Sequence, residues 1–214
     1  MLSRLAATSV ATSIVLLVNA VPAAAQEADR RVSAGIAAGF AMPFHGDFDF
    51  TATAWQADVR INTARHFALD LFVEEWHHSD EDALIGQTIS GPTGPLGRAD
   101  RVETATEHRT RAFGANLLAR GSNGIVTVTG GGGVSYLFYQ REFSQRLSGC
   151  NPSSLCTDFS QEFDNSSLAG QLHAGIDVAV APHVAVMGQF RVFIPTNDPA
   201  GGHTSLVAGV RVGL

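Results

Sequence analysis

Residues 32–42 read VSAGIAAGFAM, and this stretch decides the fold because its large and small side chains alternate with a period of two. Val32, Ile36 and Phe40 fall on one face, whereas the positions between them hold only Ser, Gly and Ala. Successive side chains of a β-strand point to opposite faces. The stretch is therefore predicted to be a strand with one apolar face and one face of small residues.

Seven further segments repeat this alternation, at about the length that a tilted membrane-spanning strand needs. They run through residues 55–62, 67–74, 113–119, 125–143, 168–180, 184–194 and 205–214. The connections alternate between long ones, at 43–50, 79–106, 144–165 and 195–202, and short ones, at 63–66, 121–124 and 181–183. This hairpin rhythm predicts an all-β fold, an eight-stranded antiparallel up-and-down transmembrane β-barrel.

The first 25 residues are predicted to be a cleaved signal peptide. Arg4 supplies a positive start, residues 5–21 are mostly apolar, and residues 23–25 are the small alanines that a signal peptidase requires. An anchoring helix is disfavoured, because a spanning helix needs about 20 apolar residues in a row. We therefore expect residues 26–214 to form a single exported barrel domain, with no appended peptidoglycan-binding domain.

Charge and cysteine content restrict the partners. A net charge of −6 argues against a nucleic-acid partner, which requires a basic surface. Cys150 and Cys156 are expected to form a disulfide, because an exported protein meets an oxidising compartment; two unpaired thiols are the alternative. Two cysteines without a nearby histidine do not complete a tetrahedral metal site, so no metal and no cofactor are predicted.

The composition of the polar face distinguishes a membrane barrel from a soluble one. A soluble, lipocalin-like barrel has the same alternation with its polar face in water. Here that face is mostly small or uncharged, which suits the narrow lumen of eight strands. Its seven charged residues are Asp58, Arg60, Asp70, Glu74, Asp177, Arg191 and Arg211. They are expected to form a lumen ion-pair network, because an unpaired buried ion is costly.

Aromatic residues near the strand ends are expected to form interfacial girdles in the two headgroup regions. The candidates are Phe40, Trp55, Phe67, Trp76, Tyr136 and Phe138. Each of them alone is equally consistent with an ordinary strand aromatic.

On these segments the mature chain resembles the OmpA/OmpX-type superfamily of small outer-membrane barrels. The resemblance is carried by VSAGIAAGFAM at 32–42, WQADVRIN at 55–62 and SLVAGVRVGL at 205–214. It implies a bacterial outer-membrane location, a periplasmic N-terminus and long connections outside the cell. It also implies a monomer that contacts outer-membrane lipid and the barrel-assembly machinery. Such proteins often end in Phe or Trp; this chain ends in Leu214, which puts its mode of insertion in question.

His203 and Ser205 at the start of the last strand are one candidate for chemistry. An eight-stranded lipid A deacylase uses a His and a Ser at this spacing, with an acid that orients the His. No Asp or Glu follows Ser205, and nucleophilic catalysis needs that third group. We therefore interpret the pair as ordinary strand residues.

Residues 74–82, EEWHHSDED, are a candidate metal-binding cluster. His77 and His78 are adjacent, however, so on a strand they point to opposite faces. The start of a solvated loop is the preferred interpretation. Residues 130–133 are four glycines, but they are not a phosphate loop, because the sequence contains no lysine.

Arg109 and Arg111 lie on the apolar face of the fourth strand near its external end, after Arg98 and Arg101 in the preceding loop. Arginine binds phosphate with a forked geometry, so contact with lipopolysaccharide phosphates is one hypothesis for Arg109 and Arg111. A strand that continues beyond the bilayer into water explains them equally well.

Together these features predict a non-enzymatic outer-membrane barrel of structural, adhesive or protective type that acts through its external loops. A lipid A-modifying enzyme, a narrow porin-like channel and, if the chain is soluble, a lipocalin-like binder are the alternatives. The channel is disfavoured because eight strands leave little open lumen.

Overall fold

The computed structural model describes residues 31–44, 51–91, 94–197 and 201–214. It contains eight strands: β1 Val32–Pro43, β2 Ala52–Ala64, β3 Phe67–Gly91, β4 Gly94–Ser122, β5 Val126–Ser148, β6 Phe159–Ala181, β7 Val184–Pro195 and β8 His203–Gly213. A 3-10 turn covers Ser153–Leu155. Among the residues described, no helix has the length and hydrophobicity to span a membrane. The expected signal peptide lies outside the described residues.

The strands form a closed antiparallel barrel in chain order, which confirms the predicted fold. The barrel closes because β1 pairs with both its neighbours: Ile36 lies opposite Ala57 of β2 and Val210 of β8. At the short-turn end, the Leu214 N–H donates to the Val32 carbonyl at 3.0 Å. Closure pairs each described strand of the wall on both sides, which is the condition for a sheet to exist in lipid.

The period-two pattern places the apolar side chains on the outside of the wall. Ile36, Leu117 and Leu172 are 69%, 61% and 59% exposed, whereas polar side chains such as Gln56 and Asn116 are buried in the lumen. A barrel made for water would have the opposite arrangement. The wall is therefore built for contact with lipid.

The predicted loop at 79–106 is wrong, because these residues continue β3 and β4. β3 has 25 residues and β4 has 29, whereas β1 has 12. The pairing runs without interruption from Ser79 opposite Glu107 to Ile85 opposite Arg101, and it ends with Gly91 opposite Gly94. Apart from Ala99 and Val102, the described side chains of this hairpin are exposed or half-buried, so its sequence lacks the apolar alternation by which the other strands were recognised.

The predicted loop at 144–165 is also largely strand. β5 continues to Ser148 and β6 begins at Phe159, with Gln145 opposite Phe159. β2 pairs with β3 no further than His77, and β7 reaches β6 only from Ala169. Beyond those points four strands continue alone. This four-stranded sheet, residues 78–91, 94–108, 141–148 and 159–166, is called the extension below.

Candidate functional site

The lumen brings together all seven charged residues that the sequence placed there. Ion pairs connect them in one chain of alternating sign: Glu74, Arg191, Asp70, Arg60, Asp177, Arg211, Asp58. Five strands contribute to it, and every member is buried. Alternation of sign gives each arginine a carboxylate on both sides, which offsets the cost of removing these ions from water.

Arg191 on β7 links the upper part of this network. Its Nη1 lies 3.0 Å from Glu74 Oε2 and its Nη2 lies 3.0 Å from Asp70 Oδ2. The guanidinium carbon also lies 3.9 Å from the centre of the Phe72 ring, in a cation–π contact. Because Arg191 is completely buried and is the ion-pair partner of Glu74 in this network, loss of Arg191 would leave the buried Glu74 carboxylate without its counter-ion.

Amide side chains complete the network at Asp58. Gln56 and Gln189 both donate from Nε2 to Asp58 Oδ2, at 2.8 and 3.4 Å. These donors stabilise the Asp58 carboxylate, which ends the series of ion pairs and is paired with Arg211. A cavity of about 50 Å³ lies between Arg60, Asp177 and Arg211 towards the short-turn end. This volume suits isolated water molecules rather than a continuous ion path.

Aromatic side chains fill the lumen above the network. Trp76 contacts Phe193 edge-to-face at 4.9 Å and stacks on His203 at 4.9 Å between ring centres. Its Nε1 donates to Glu74 Oε1 at 2.6 Å, which connects this aromatic layer to the ion pairs. The expectation that Trp76 belongs to an outer girdle is therefore wrong. Trp76 is two residues from Glu74 and four residues from Phe72, so the period-two alternation of the sequence places all three on the inward face.

His203 and Ser205 also face the lumen. Ser205 is 1% exposed and His203 is 6% exposed. The Ser205 hydroxyl therefore has no route to an acyl chain in the surrounding lipid. A deacylase-like reaction requires the nucleophile to contact its lipid substrate, and this arrangement does not provide that contact.

His77 and His78 point to opposite faces of β3, as expected for adjacent strand residues. His77 Nε2 lies 2.8 Å from Glu107 Oε1, whereas the His78 ring lies 6.4 Å from that of His108 on the other face. Burial, with the charges of Arg141 and His78, holds the pKa of His108 below its ordinary value. In the described ranges no group of three His, Cys, Asp or Glu side chains is arranged to hold a metal.

Arg109 and Arg111 converge on Glu75, which the sequence suggested only as part of the candidate metal-binding cluster at 74–82. Arg109 donates from Nε and Nη2 to Glu75 Oε1 at 2.9 and 2.7 Å, and Arg111 donates from Nε to Oε2 at 2.7 Å. The Glu75 side chain is 11% exposed, beneath arginines that are 40% and 47% exposed. Glu75 is two residues from Val73, so the period-two alternation of the strand placed it on the outward face. This alternation was the signal in the sequence for its position.

The outer end of the extension is held by the segment that contains the cysteines. Cys150 and Cys156 form a disulfide with a Cα–Cα distance of 5.5 Å. Asn151, inside this loop, pairs with Arg98 of β4: each backbone N–H donates to the other's carbonyl, at 2.8 and 3.1 Å. Arg98 and Arg101, expected in a loop, therefore lie on β4. The disulfide loop continues the sheet past the end of β5.

Comparisons with known proteins agree with this architecture. The family model described as "Outer membrane protein beta-barrel domain" matches residues 11–211. A major outer membrane protein from Thermus thermophilus is 14% identical over 85% of this chain and 98% of its own, with a TM-score of 0.52.

Two further solved structures are similar to this chain with a TM-score of 0.46 each. The outer membrane protein OprG from Pseudomonas aeruginosa is 15% identical over 87% of this chain and 97% of its own. Ail, the attachment invasion locus protein of Yersinia pestis, solved with the heparin analogue sucrose octasulfate, is 12% identical over 84% and 95%. At these identities the likeness concerns the fold alone. No curated protein matches the sequence.

Proposed function

The chain belongs to the outer membrane protein beta-barrel domain family, and from that premise we propose a non-enzymatic surface protein whose extension contacts partners outside the cell. The observation that carries this proposal is the length of β3 and β4. About 9–11 residues cross a bilayer as a tilted strand, and these strands have 25 and 29. More than half of each strand therefore lies beyond the membrane, as an ordered sheet rather than a loop.

The side chains of the extension support a binding role. On the face that continues from the lumen, Phe159 and Phe163 are 49% and 50% exposed, and Leu84 is 48% exposed. Phe143 lies beside Phe159, with 6.2 Å between ring centres. Exposed aromatic clusters with a polar surround are characteristic of interaction surfaces. The adhesive form of the function is therefore the one that we favour over a structural or protective role.

The proposal includes the route to the membrane. Export would use residues 1–25 as a cleaved signal peptide, and insertion as a monomer would use the barrel-assembly machinery. Gel mobility of unboiled and boiled outer-membrane fractions, with mass spectrometry of the mature N-terminus, tests both steps. A mature chain that retains residues 1–25 would contradict the export step.

A trimmed variant tests the function. Residues 81–105 are replaced by Asn-Gly, which joins the paired residues Asp80 and Thr106 through a two-residue turn. Expressing cells are compared for adherence to protein-coated surfaces and for survival in complement-active serum, after a mobility shift has shown that the barrel is folded. We expect adherence to fall. Loss of serum survival alone would favour the protective role, and no change in either assay would contradict the proposal.

Point variants locate the contact surface. F159Q/F163Q removes the two exposed rings, and S160A/E162Q alters the opposite face of the same strand as a matched control. We expect only the first pair to reduce adherence.

The channel alternative is opposed by the ion pairs and the aromatic layer in the lumen. We expect purified folded protein to give no discrete conductance steps in planar bilayers. Uniform steps from a heat-modifiable preparation would revive the porin-like alternative.

A further inference from the structure

Glu75, Arg109 and Arg111 form a cluster of charges on the outer wall, at the level where its apolar side chains give way to polar ones. The cross-strand partner of Arg111 on β5 is Phe138, and Trp55 of β2 lies opposite Glu75. An arginine on the lipid-facing wall is most costly at the bilayer midplane and costs little near the interface. The cluster is therefore expected at the boundary between acyl chains and headgroups.

The aromatic residues next to the cluster mark the same boundary. Phe113, Tyr136 and Phe138 are 48%, 41% and 47% exposed on the outer wall. Phe138 contacts Phe113 at 5.9 Å and Tyr136 at 4.8 Å, both edge-to-face. Aromatic belts lie at the level of the lipid headgroups. Arg111 and Arg109, next to these rings, therefore lie at the level of the phosphates of the outer leaflet.

The cluster carries more positive charge than its internal pairing needs. One arginine would neutralise Glu75, but two converge on it. Glu75 engages Nε and Nη2 of Arg109 and Nε of Arg111, so Nη1 of Arg109 and both Nη atoms of Arg111 are not used by that carboxylate. Because Glu75 fixes both guanidiniums, their remaining N–H groups are oriented before any ligand binds, which lowers the entropic cost of binding.

A groove of about 460 Å³ joins the arginines to the aromatic rings. Arg109 and Arg111 line its polar end, and Phe113 and Phe138 line its apolar end, with Gln140 and Asn165 as neutral donors. Asp164 also lines the groove, and the charge of the Glu107 carboxylate attracts Arg109. A ligand anion would therefore bind nearest Arg111. A charged end and an apolar end in one groove match an amphiphile rather than a free ion.

From this geometry we infer that Arg109 and Arg111, positioned by Glu75, bind a lipid-linked phosphate of the outer leaflet. The phosphate oxygens accept hydrogen bonds from the guanidinium groups, in the forked geometry that arginine favours. The attached acyl chains lie against Phe113 and Phe138. The inference is independent of the proposed function, because the trimmed variant lacking residues 81–105 keeps all three charged residues.

The experiment uses purified, folded protein in neutral detergent, with native mass spectrometry to count bound lipid. The probes are lipid A, enzymatically dephosphorylated lipid A and phosphatidylglycerol. We expect retention of lipid A and loss of retention once its phosphates are removed. Equal retention of phosphatidylglycerol would assign the site to lipid phosphates in general, and preference for lipid A would assign it to lipopolysaccharide. Retention of dephosphorylated lipid A equal to that of lipid A would overturn the inference.

Charge-matched variants separate this site from general electrostatic attraction. R109Q/R111Q is expected to weaken lipid A binding by about tenfold or more, since charge-assisted hydrogen bonds are lost. E75Q/R109Q/R111Q removes the carboxylate as well, so no unpaired ion remains and folding is protected. R101Q/R146Q removes the same positive charge from the extension, farther along the same face. The inference fails if both cluster variants bind as the parent does, or if R101Q/R146Q reduces binding equally.

Inorganic phosphate separates a lipid site from a free-anion site. We expect it to displace lipid A poorly at equal concentration, because it lacks the acyl chains that contact Phe113 and Phe138. Displacement by inorganic phosphate at equal concentration would overturn the lipid-linked part of the inference.

Discussion

Arg191 Nη2 lies 3.0 Å from Asp70 Oδ2 across the lumen, although 121 positions separate the two residues in the sequence. This ion pair connects β7 to β3, which are not neighbours in the barrel. The wall is held by the hydrogen bonds of adjacent strands, whereas this contact connects opposite sides of the wall. The network therefore connects opposite sides of the barrel as well as filling its lumen.

Replacing Arg191 should destabilise the barrel. R191M leaves Glu74 and Asp70 without their shared partner, and breaking a buried ion pair costs about 3–5 kcal/mol. Urea unfolding in lipid vesicles, followed by the mobility shift, measures the change.

Two controls accompany R191M. R146M alters an exposed arginine of the extension and is expected to change stability by less than about 0.5 kcal/mol. D70N/E74Q/R191M removes the orphaned charges and is expected to recover part of the loss. Equal stability of R191M and the parent would show that the network does not brace the barrel.

Gly133 is expected to tolerate no larger side chain. A Cβ at this position would lie 1.9 Å from the carbonyl oxygen of Ala115 on the neighbouring strand, so G133A requires the backbone to shift. Overpacking of this kind costs about 1–3 kcal/mol. Gly130 is the matched control in the same run of glycines, because its nearest contact would be 3.9 Å away. Urea midpoints that are the same for G133A and G130A would contradict this account of the close strand approach.

Removing the disulfide should loosen the extension without affecting the barrel. C150S/C156S opens a short loop, which is worth roughly 2 kcal/mol in chain-entropy estimates. Faster hydrogen exchange is expected at residues 140–165, where β5 and β6 carry the loop, with the urea midpoint of the barrel unchanged. A lower barrel midpoint would mean that the loop contributes to the stability of the wall.

The extension should open more readily in acid. Burial, Arg141 and His78 lower the pKa of His108 in the folded sheet from 6.5. The opened form binds a proton near the ordinary pKa, so the stability of the sheet falls as the pH drops below that value and levels off below the folded pKa. The protection factors of the backbone amides, from hydrogen exchange at about pH 7.5 and pH 5.5 on either side of the ordinary pKa, measure this change in stability.

H108Q is the control for this pH effect, because glutamine does not titrate. It should reduce the pH dependence of exchange in residues 100–110. An unchanged dependence would show that His108 is not the source of the effect.

The alternation of residues determined the barrel wall, because the direction of a strand side chain depends only on local parity. Residues 32–42 and 205–214 were sufficient to predict two strands with an apolar outer face, and the same parity placed Asp58 and Arg191 in the lumen. Parity also held the information about Trp76 and Glu75. Trp76 was assigned to the outer girdle because its residue type was given more weight than its position, and Glu75 was interpreted only as part of the start of a solvated loop.

The tertiary structure decided what parity leaves open. Which carboxylate meets which arginine depends on closure and register, since the Glu74–Arg191 and Arg60–Asp177 pairs each join residues 117 positions apart in the sequence. The extension was not predicted because most side chains of residues 79–106 are exposed or half-buried, so hydrogen bonds between strands hold them in place without an apolar pattern. The sequence by itself determined which side chains face outward or into the lumen; only the folded chain decided the pairing of charges and the length of the extension.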